Sequence, residues 1–181
     1  MRNLIAEKPT RKIHGRLAYT ISFVDGIDIK NKTVLDIGCG YGWFELNILS
    51  RGAKKIVATE LTEKDLETIK KNIKSSKLKF QEANAIDLPF ADNTFDTVVC
   101  WEVIEHIPKN TETKLFSEVN RVLKNKGVFY LSTPFRSWPS IVFDPAWWLI
   151  GHRHYTKEQL SEFGKKLEFK LSKLSIKGNK I

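Results

Sequence analysis

The sequence predicts a doubly wound α/β fold, a mostly parallel sheet with helices on both faces. Three observations carry this prediction. Apolar runs suited to buried strands alternate with segments of helical period, the pattern of a parallel sheet covered by helices. The first apolar run leads into a glycine cluster, Gly38-Cys39-Gly40-Tyr41-Gly42. The second ends in an acid, Glu60, 18 residues after Gly42. In sheets of this class ligands sit at the carboxyl ends of the strands, near the point where strand order reverses.

The elements follow in order. Residues 9–24 read as an entry helix and Thr33–Ile37 as the first strand. Trp43–Ser50 is a helix, with Gly52 placed to end it. Lys55–Glu60 is the second strand. Thr62 and Asp65 then form a capping pair that opens a helix to about Ser75. Leu78–Ala83 and Thr94–Trp101 are the third and fourth strands, and a helix runs from about Thr111 to Leu123. Gly127–Ser132 is the fifth strand. Thr156 with Gln159 fits a capping box for a helix to about Leu167, and Glu168–Ile176 reads as a last strand. No repeat or low-complexity linker divides the chain, so one domain is expected over residues 1–181.

Composition narrows the function classes. At 41% hydrophobic and 28% charged, the chain has the makings of an ordinary core. No run approaches the roughly 18 apolar residues of a membrane span, and no apolar signal core opens the chain, so a cytoplasmic protein is expected. Cys39 and Cys100 lie far apart and read as free thiols. No Cys/His cluster has zinc spacing. The net charge of +9 invites a nucleic-acid or anionic-membrane partner. Most of it is lysine spread along the chain, which suits a solvated surface better than phosphate recognition by arginine.

The glycine cluster offers bare backbone at the N-terminus of the following helix, where amide hydrogens point outward. Glycine there is expected because a side chain would block a close approach. The spacing is GxGxG, with Trp43 where a dinucleotide fingerprint has its third glycine. A pyrophosphate cradle is therefore disfavoured. Glu60 stands where an acid can accept hydrogen bonds from the two hydroxyls of a ribose.

The ordered set VLDIGCGYG, VATEL, NAIDLPF, FDTVVCWEVIEHI and GHRHYT resembles the class I S-adenosylmethionine-dependent methyltransferases, in the small-molecule branch that includes quinone-biosynthesis enzymes. The resemblance covers residues 33 to about 160 and implies a Rossmann-like sheet. It implies that Asp36 and the backbone of Gly38, Cys39, Gly40, Tyr41 and Gly42 hold the amino-acid end of S-adenosylmethionine. By the same resemblance Glu60 binds the ribose hydroxyls, Leu61 lies against the adenine, and Ala85 and Ile86 complete its pocket. Asn84 replaces the family's usual aspartate beside the adenine amino group. Cys100 and Trp101 border the methionine part. The resemblance implies no metal, and S-adenosylhomocysteine as product. His106 is the first candidate for a general base, or else it organises its loop. His154, with His152 and Tyr155, lines the acceptor site or clamps the sheet edge. His14, Arg16 and Tyr19 close over the cofactor or belong to a surface helix.

The acceptor is expected to be a small or lipid-like molecule. The Asn/Asp-Pro-Pro-Tyr/Phe box of base amino-methylases is absent after the fourth strand, where the chain reads Cys100-Trp101-Glu102-Val103. The tryptophan-rich stretch 137–150 is expected to cover an apolar or flat acceptor, or else to plug the sheet face or form a dimer patch. Three alternatives stay open: an RNA or protein methyltransferase docking through lysines, a non-catalytic cofactor-binding subunit, and a homodimer through the C-terminal sheet edge. That edge reads as one strand short of the family's sheet.

Overall fold

The computed structural model describes residues 8–136 and 151–177. Its centre is a five-stranded parallel sheet of β1 (Thr33–Ile37), β2 (Lys55–Glu60), β3 (Leu78–Glu82), β4 (Phe95–Trp101) and β5 (Leu123–Ser132), in the spatial order β3-β2-β1-β4-β5. The helices are α1 (Gly15–Phe23), α2 (Trp43–Ser50), α3 (Glu63–Asn72), α4 (Glu112–Val122) and α5 (Lys157–Lys165). A short 3-10 turn, Gly26–Asp28, leads into β1. The chain winds outward from β1 to β3, then restarts on the other side at β4. The reversal therefore falls between β1 and β4, where Ile37 lies beside Cys100.

Alternation along the strands supplies two cores. Leu35, Ile37, Val57, Val98 and Cys100 face one side and pack with Leu115, Phe116 and Val119 of α4. Val34, Ile56, Ala58 and Val99 face the other and pack with Ile21 of α1, Phe44 and Ile48 of α2 and Leu66 and Ile69 of α3. Strands buried on both faces are what a parallel sheet between helix layers demands.

Four expectations need correction. The entry helix begins at Gly15, because His14 is extended and residues 9–14 lie outside it. The helix after β2 ends at Asn72, where Ile73 turns extended to bury its side chain. β5 pairs with β4 from Leu123, but Phe95 faces Leu123 and Thr97 faces Val128, so Lys124–Gly127 form a bulge in the ladder.

The last correction is at the C-terminus, where Glu168–Ile176 forms no strand. Glu168 turns the chain at φ 63°, and residues 170–176 run exposed beside β5 without a ladder. A groove of about 570 Å³ separates them, lined by Phe129, Leu131, Phe169 and Leu171. Side chains hold the segment instead. Lys173 Nζ donates to the Phe23 carbonyl (3.1 Å) and stands 4.5 Å from the Phe23 ring centre. Among the described residues the sheet ends at β5.

The capping box at Thr156 forms as the residues suggest. Thr156 Oγ1 accepts from Gln159 N–H (3.2 Å) and Gln159 Oε1 accepts from Thr156 N–H (2.9 Å). Thr156→Ala is expected to remove about 1 kcal/mol of stability, a Tm loss of about 2–4 °C by thermal melt. An unchanged Tm would show that packing alone holds α5.

Candidate functional site

The glycine loop joins β1 to α2 and is hung from β2. Gly38 and Cys39 N–H both donate to the Thr59 carbonyl (2.9 and 3.0 Å), while Thr59 Oγ1 donates to the Asp36 carbonyl (2.8 Å). All three glycines have positive φ, but their surroundings differ. A Cβ on Gly38 would stand 2.4 Å from Val103 Cγ2, and one on Gly42 would stand 2.7 Å from both Ile69 and Ile73. Those two glycines are required by the protein's own packing. A Cβ on Gly40 would meet open space, so Gly40 alone leaves its outer side clear for a ligand.

Two acids are buried beneath the loop. Asp36 ends β1's inward run and Glu45 lies in the first turn of α2. They are 1% and 0% exposed, so both are out of water. Asp36 Oδ1 and both carboxylate oxygens of Glu45 have no hydrogen-bond partner. Burial, then the Glu45 charge, holds the Asp36 carboxyl well above its ordinary range. Burial pushes Glu45 up to about 7. Glu45 was not singled out from the sequence. Its signal is an acid on a helix, Trp43-Phe44-Glu45-Leu46, whose neighbours are all apolar.

Glu60 leans over the same loop, and its Oε1 accepts the Gly40 N–H at 2.6 Å. Burial raises its carboxyl despite that bond. Leu61 next to it is 63% exposed, an apolar side chain with no covering partner. Tyr41 at the loop tip is also exposed, and Cys39 is buried below it. After β3, Asn84 Oδ1 accepts the Ile86 N–H (3.1 Å), which shapes the turn that carries Ala85 and Ile86. Ala85 is buried and Ile86 half-buried.

The loop after β4 faces the glycine loop through Val103. Cys100 is wholly buried in the core, and Trp101 packs edge-on against Phe44, ring centres 5.8 Å apart. Trp101 Nε1 is buried without a hydrogen-bond partner. Trp101 and Glu102 border a cavity of about 230 Å³ with Arg16, Tyr19, Thr133 and Phe135. Arg16 of α1 donates to Glu102 Oε2 (2.9 Å), so the entry helix does reach this loop. Glu102 also accepts from Ser132 Oγ (2.6 Å) and holds a positive φ of 56°.

Glu105 is buried, with burial pushing it up to about 7, and Thr133 Oγ1 donates to its Oε2 (3.0 Å). Arg153 was not foreseen. Its Nη2 donates to the carbonyls of Ile104 (2.7 Å) and Ile107 (2.6 Å), clamping the loop from below. His106 is exposed and its ring lies 5.0 Å from that of His152. His154 takes another place. It is buried and lines a cavity of about 380 Å³ with Asn110, Glu112 and Arg136, which includes no residue of the glycine loop. His14 N-caps α1 without a side-chain bond. The stretch 137–150, expected to cover the acceptor, lies outside the described residues.

A parallel sheet in the order 3-2-1-4-5, with a glycine loop after β1 and a carboxylate closing β2, is the Rossmann-like fold of the class I S-adenosylmethionine-dependent methyltransferases. A family model described as methyltransferase domain matches residues 35–131, more than half of the 181, and the chain belongs to that family. A crystal structure of an S-adenosylmethionine-dependent methyltransferase from Mesorhizobium loti superposes with a TM-score of 0.71, covering 86% of this chain and 81% of that one, at 18% identity. At that identity the likeness shows the fold. An uncharacterised protein of Methanocaldococcus jannaschii is 41% identical over 105 residues, which are 54% of this chain and 39% of that protein. A ubiquinone biosynthesis O-methyltransferase of Neisseria meningitidis is 28% identical over 128 residues, 68% of this chain and 53% of its own length. The chain thus spans about half or less of the length of these curated relatives. Among the described residues no helix is long and apolar enough to cross a membrane, and Cys39 and Cys100 are unbridged.

Proposed function

We propose that this chain binds S-adenosylmethionine on the glycine loop and directs its methyl group to a hydroxyl of a small or lipid-like acceptor. The observation that carries the reading is the buried pair Asp36 and Glu45 with three unpartnered oxygens between them. Two buried carboxylates call for a cation. The ammonium of the methionine end is such a cation, and the loop above the pair has one open glycine, Gly40, for the approach. Glu60 then exchanges the Gly40 amide for ribose hydroxyls, Leu61 offers an apolar surface to the adenine, and Asn84 to Ile86 frame its edge. Cys100 and Trp101 flank the end of β4 nearest the sulfonium.

When bound, the cofactor supplies an already activated methyl group, so positioning the acceptor is the main task left to the protein. Asp36, Glu45 and the glycine loop would hold the donor's methionine end, and loss of the methyl group would leave a neutral thioether there. An acceptor oxygen pair forms the new C–O bond, and the hydroxyl proton leaves to a base or to water. The cavity beside Trp101 and Glu102 is suited to the acceptor, since it opens at the carboxyl end of β4 under α1. The O-methyltransferase relative supports oxygen as the receiving atom. Glu102 lines that cavity and is the carboxylate nearest to such a hydroxyl's proton.

Calorimetric titration with S-adenosylmethionine, S-adenosylhomocysteine and NAD tests the cofactor. The two adenosyl ligands should bind and NAD should not. Glu60→Ala should weaken the adenosyl ligands by roughly tenfold to a hundredfold, the loss of a charge-assisted hydrogen-bond pair. Binding of NAD alone, or adenosyl binding untouched by the substitution, would overturn the reading.

A further inference from the structure

We infer that Glu105, His106 and His152 form a binding site for a first-row divalent cation at the carboxyl end of β4. One carboxylate oxygen and one ring nitrogen from each histidine all lie within 4.8 Å of one another. Glu105 is the anchor. Its side chain is wholly shielded from solvent, Thr133 Oγ1 occupies Oε2, and Oε1 has no hydrogen-bond partner. That oxygen stands 3.8 Å from His152 Nε2. A buried carboxylate oxygen left open towards two imidazoles is the arrangement a cation satisfies.

The surrounding backbone fixes the donors. Arg153 ties the carbonyls of Ile104 and Ile107, on either side of Glu105 and His106. Its own charge is partly offset by Glu112, 3.7 Å away. His106 N–H donates to the Val103 carbonyl (2.8 Å), closing a tight turn that brings both loop ligands to one side. A cation at about 2.0–2.2 Å from each donor would draw them to separations of about 3.4 Å. Rotation of the exposed His106 and small shifts of His152 can supply that closure.

Two imidazoles and one carboxylate suit zinc, cobalt, iron or manganese better than magnesium or calcium, which prefer all-oxygen sets. Three protein ligands leave positions open, the mark of a site that takes a further oxygen rather than a closed structural one. Resting on the methyltransfer reading above, that oxygen is the acceptor hydroxyl. The cation would orient it and lower its pKa. The metal was not expected from the sequence because His152 lies 46 residues beyond His106, with no spacing that links them.

The test uses the chain stripped with chelator and titrated with Co²⁺, followed by visible absorption, and with Zn²⁺ in competition. Saturation at one equivalent with ligand-field bands, displaced by Zn²⁺, is expected. His106→Ala and Glu105→Gln should each weaken it by more than roughly tenfold. His106 is exposed, so His106→Ala should keep its far-ultraviolet circular dichroism and its affinity for S-adenosylhomocysteine. No saturable binding, or equal binding by wild type and both variants, would overturn the inference. Failure of S-adenosylhomocysteine to bind the wild type would instead refute the methyltransfer reading and leave the cobalt result to decide the metal.

Discussion

Gly38→Ala should lower stability by about 3 kcal/mol, a Tm loss of about 6–12 °C, and Val103→Ala in the same chain should restore part of it. Two costs are involved. The backbone at Gly38 sits at φ 77°, which L side chains adopt only with strain of the order of 1 kcal/mol. The added Cβ would also lie 2.4 Å from Val103 Cγ2. Valine is β-branched and stiff at χ1, so it cannot simply swing away. The loop that carries it must move, and with it Glu102, Glu105 and His106. The substitution therefore couples the glycine loop to the loop after β4. Val103→Ala alone should cost about 1 kcal/mol. In a double-mutant cycle by thermal melts the pair should be more stable than the sum by at least about 1 kcal/mol. Strict additivity would show that the strain at φ, not the clash, sets the cost.

The same glycine marks how far the sequence could be read. The positions of β1 to β4, the helix Trp43–Ser50 and both capping pairs were legible, because each rests on local chemistry: period, cap residues and glycine punctuation. The position of the loop was legible for the same reason. The reason for its glycines was only partly so. Gly38 and Gly42 answer to Val103 and to Ile69 with Ile73, residues distant in sequence that only the fold brings near. Glu168–Ile176 spaces its apolar residues two apart at Phe169/Leu171 and at Leu174/Ile176, but Ser172 and Lys173 break the alternation between the pairs, and forming a strand also needs a partner edge. There Lys173 is engaged with Phe23 and Asp25 instead, and the segment stands off β5. Glu105 and His152 meet only because Arg153 folds the chain back under the loop after β4. Tertiary pairings of this kind leave no period to find.

Glu45 gives the second large effect, and its sign is unusual for an acid. The folded-state value of about 7 lies above the ordinary 4.5, because burial disfavours the charge. Between those two values the folded chain holds a proton that the unfolded chain has released. The contribution of Glu45 is therefore most favourable below about pH 4.5 and is lost as the pH rises through about 7. Glu45→Gln keeps the shape and removes the charge. It should raise the Tm little at pH 5 and increasingly towards pH 8, where the gain is on the order of 2 kcal/mol. Thermal melts of both proteins from pH 5 to pH 8 measure the difference, which cancels the distant titrating groups and leaves Glu45 together with Asp36, whose carboxyl the Glu45 charge helps to raise. The same substitution should weaken S-adenosylmethionine, since an ammonium beside Asp36 and Glu45 is stabilised only by their ionised form. Wild-type affinity should accordingly rise with pH over that range, with protons released on binding, and the dependence should flatten in Glu45→Gln. Calorimetry in buffers of different ionisation enthalpy reads the proton count directly. A variant more stable at pH 8 that binds the cofactor as tightly as wild type would show that the buried pair serves the fold alone. Loss of affinity with a gain in stability would show that the strain held in Asp36 and Glu45 is there for the ligand.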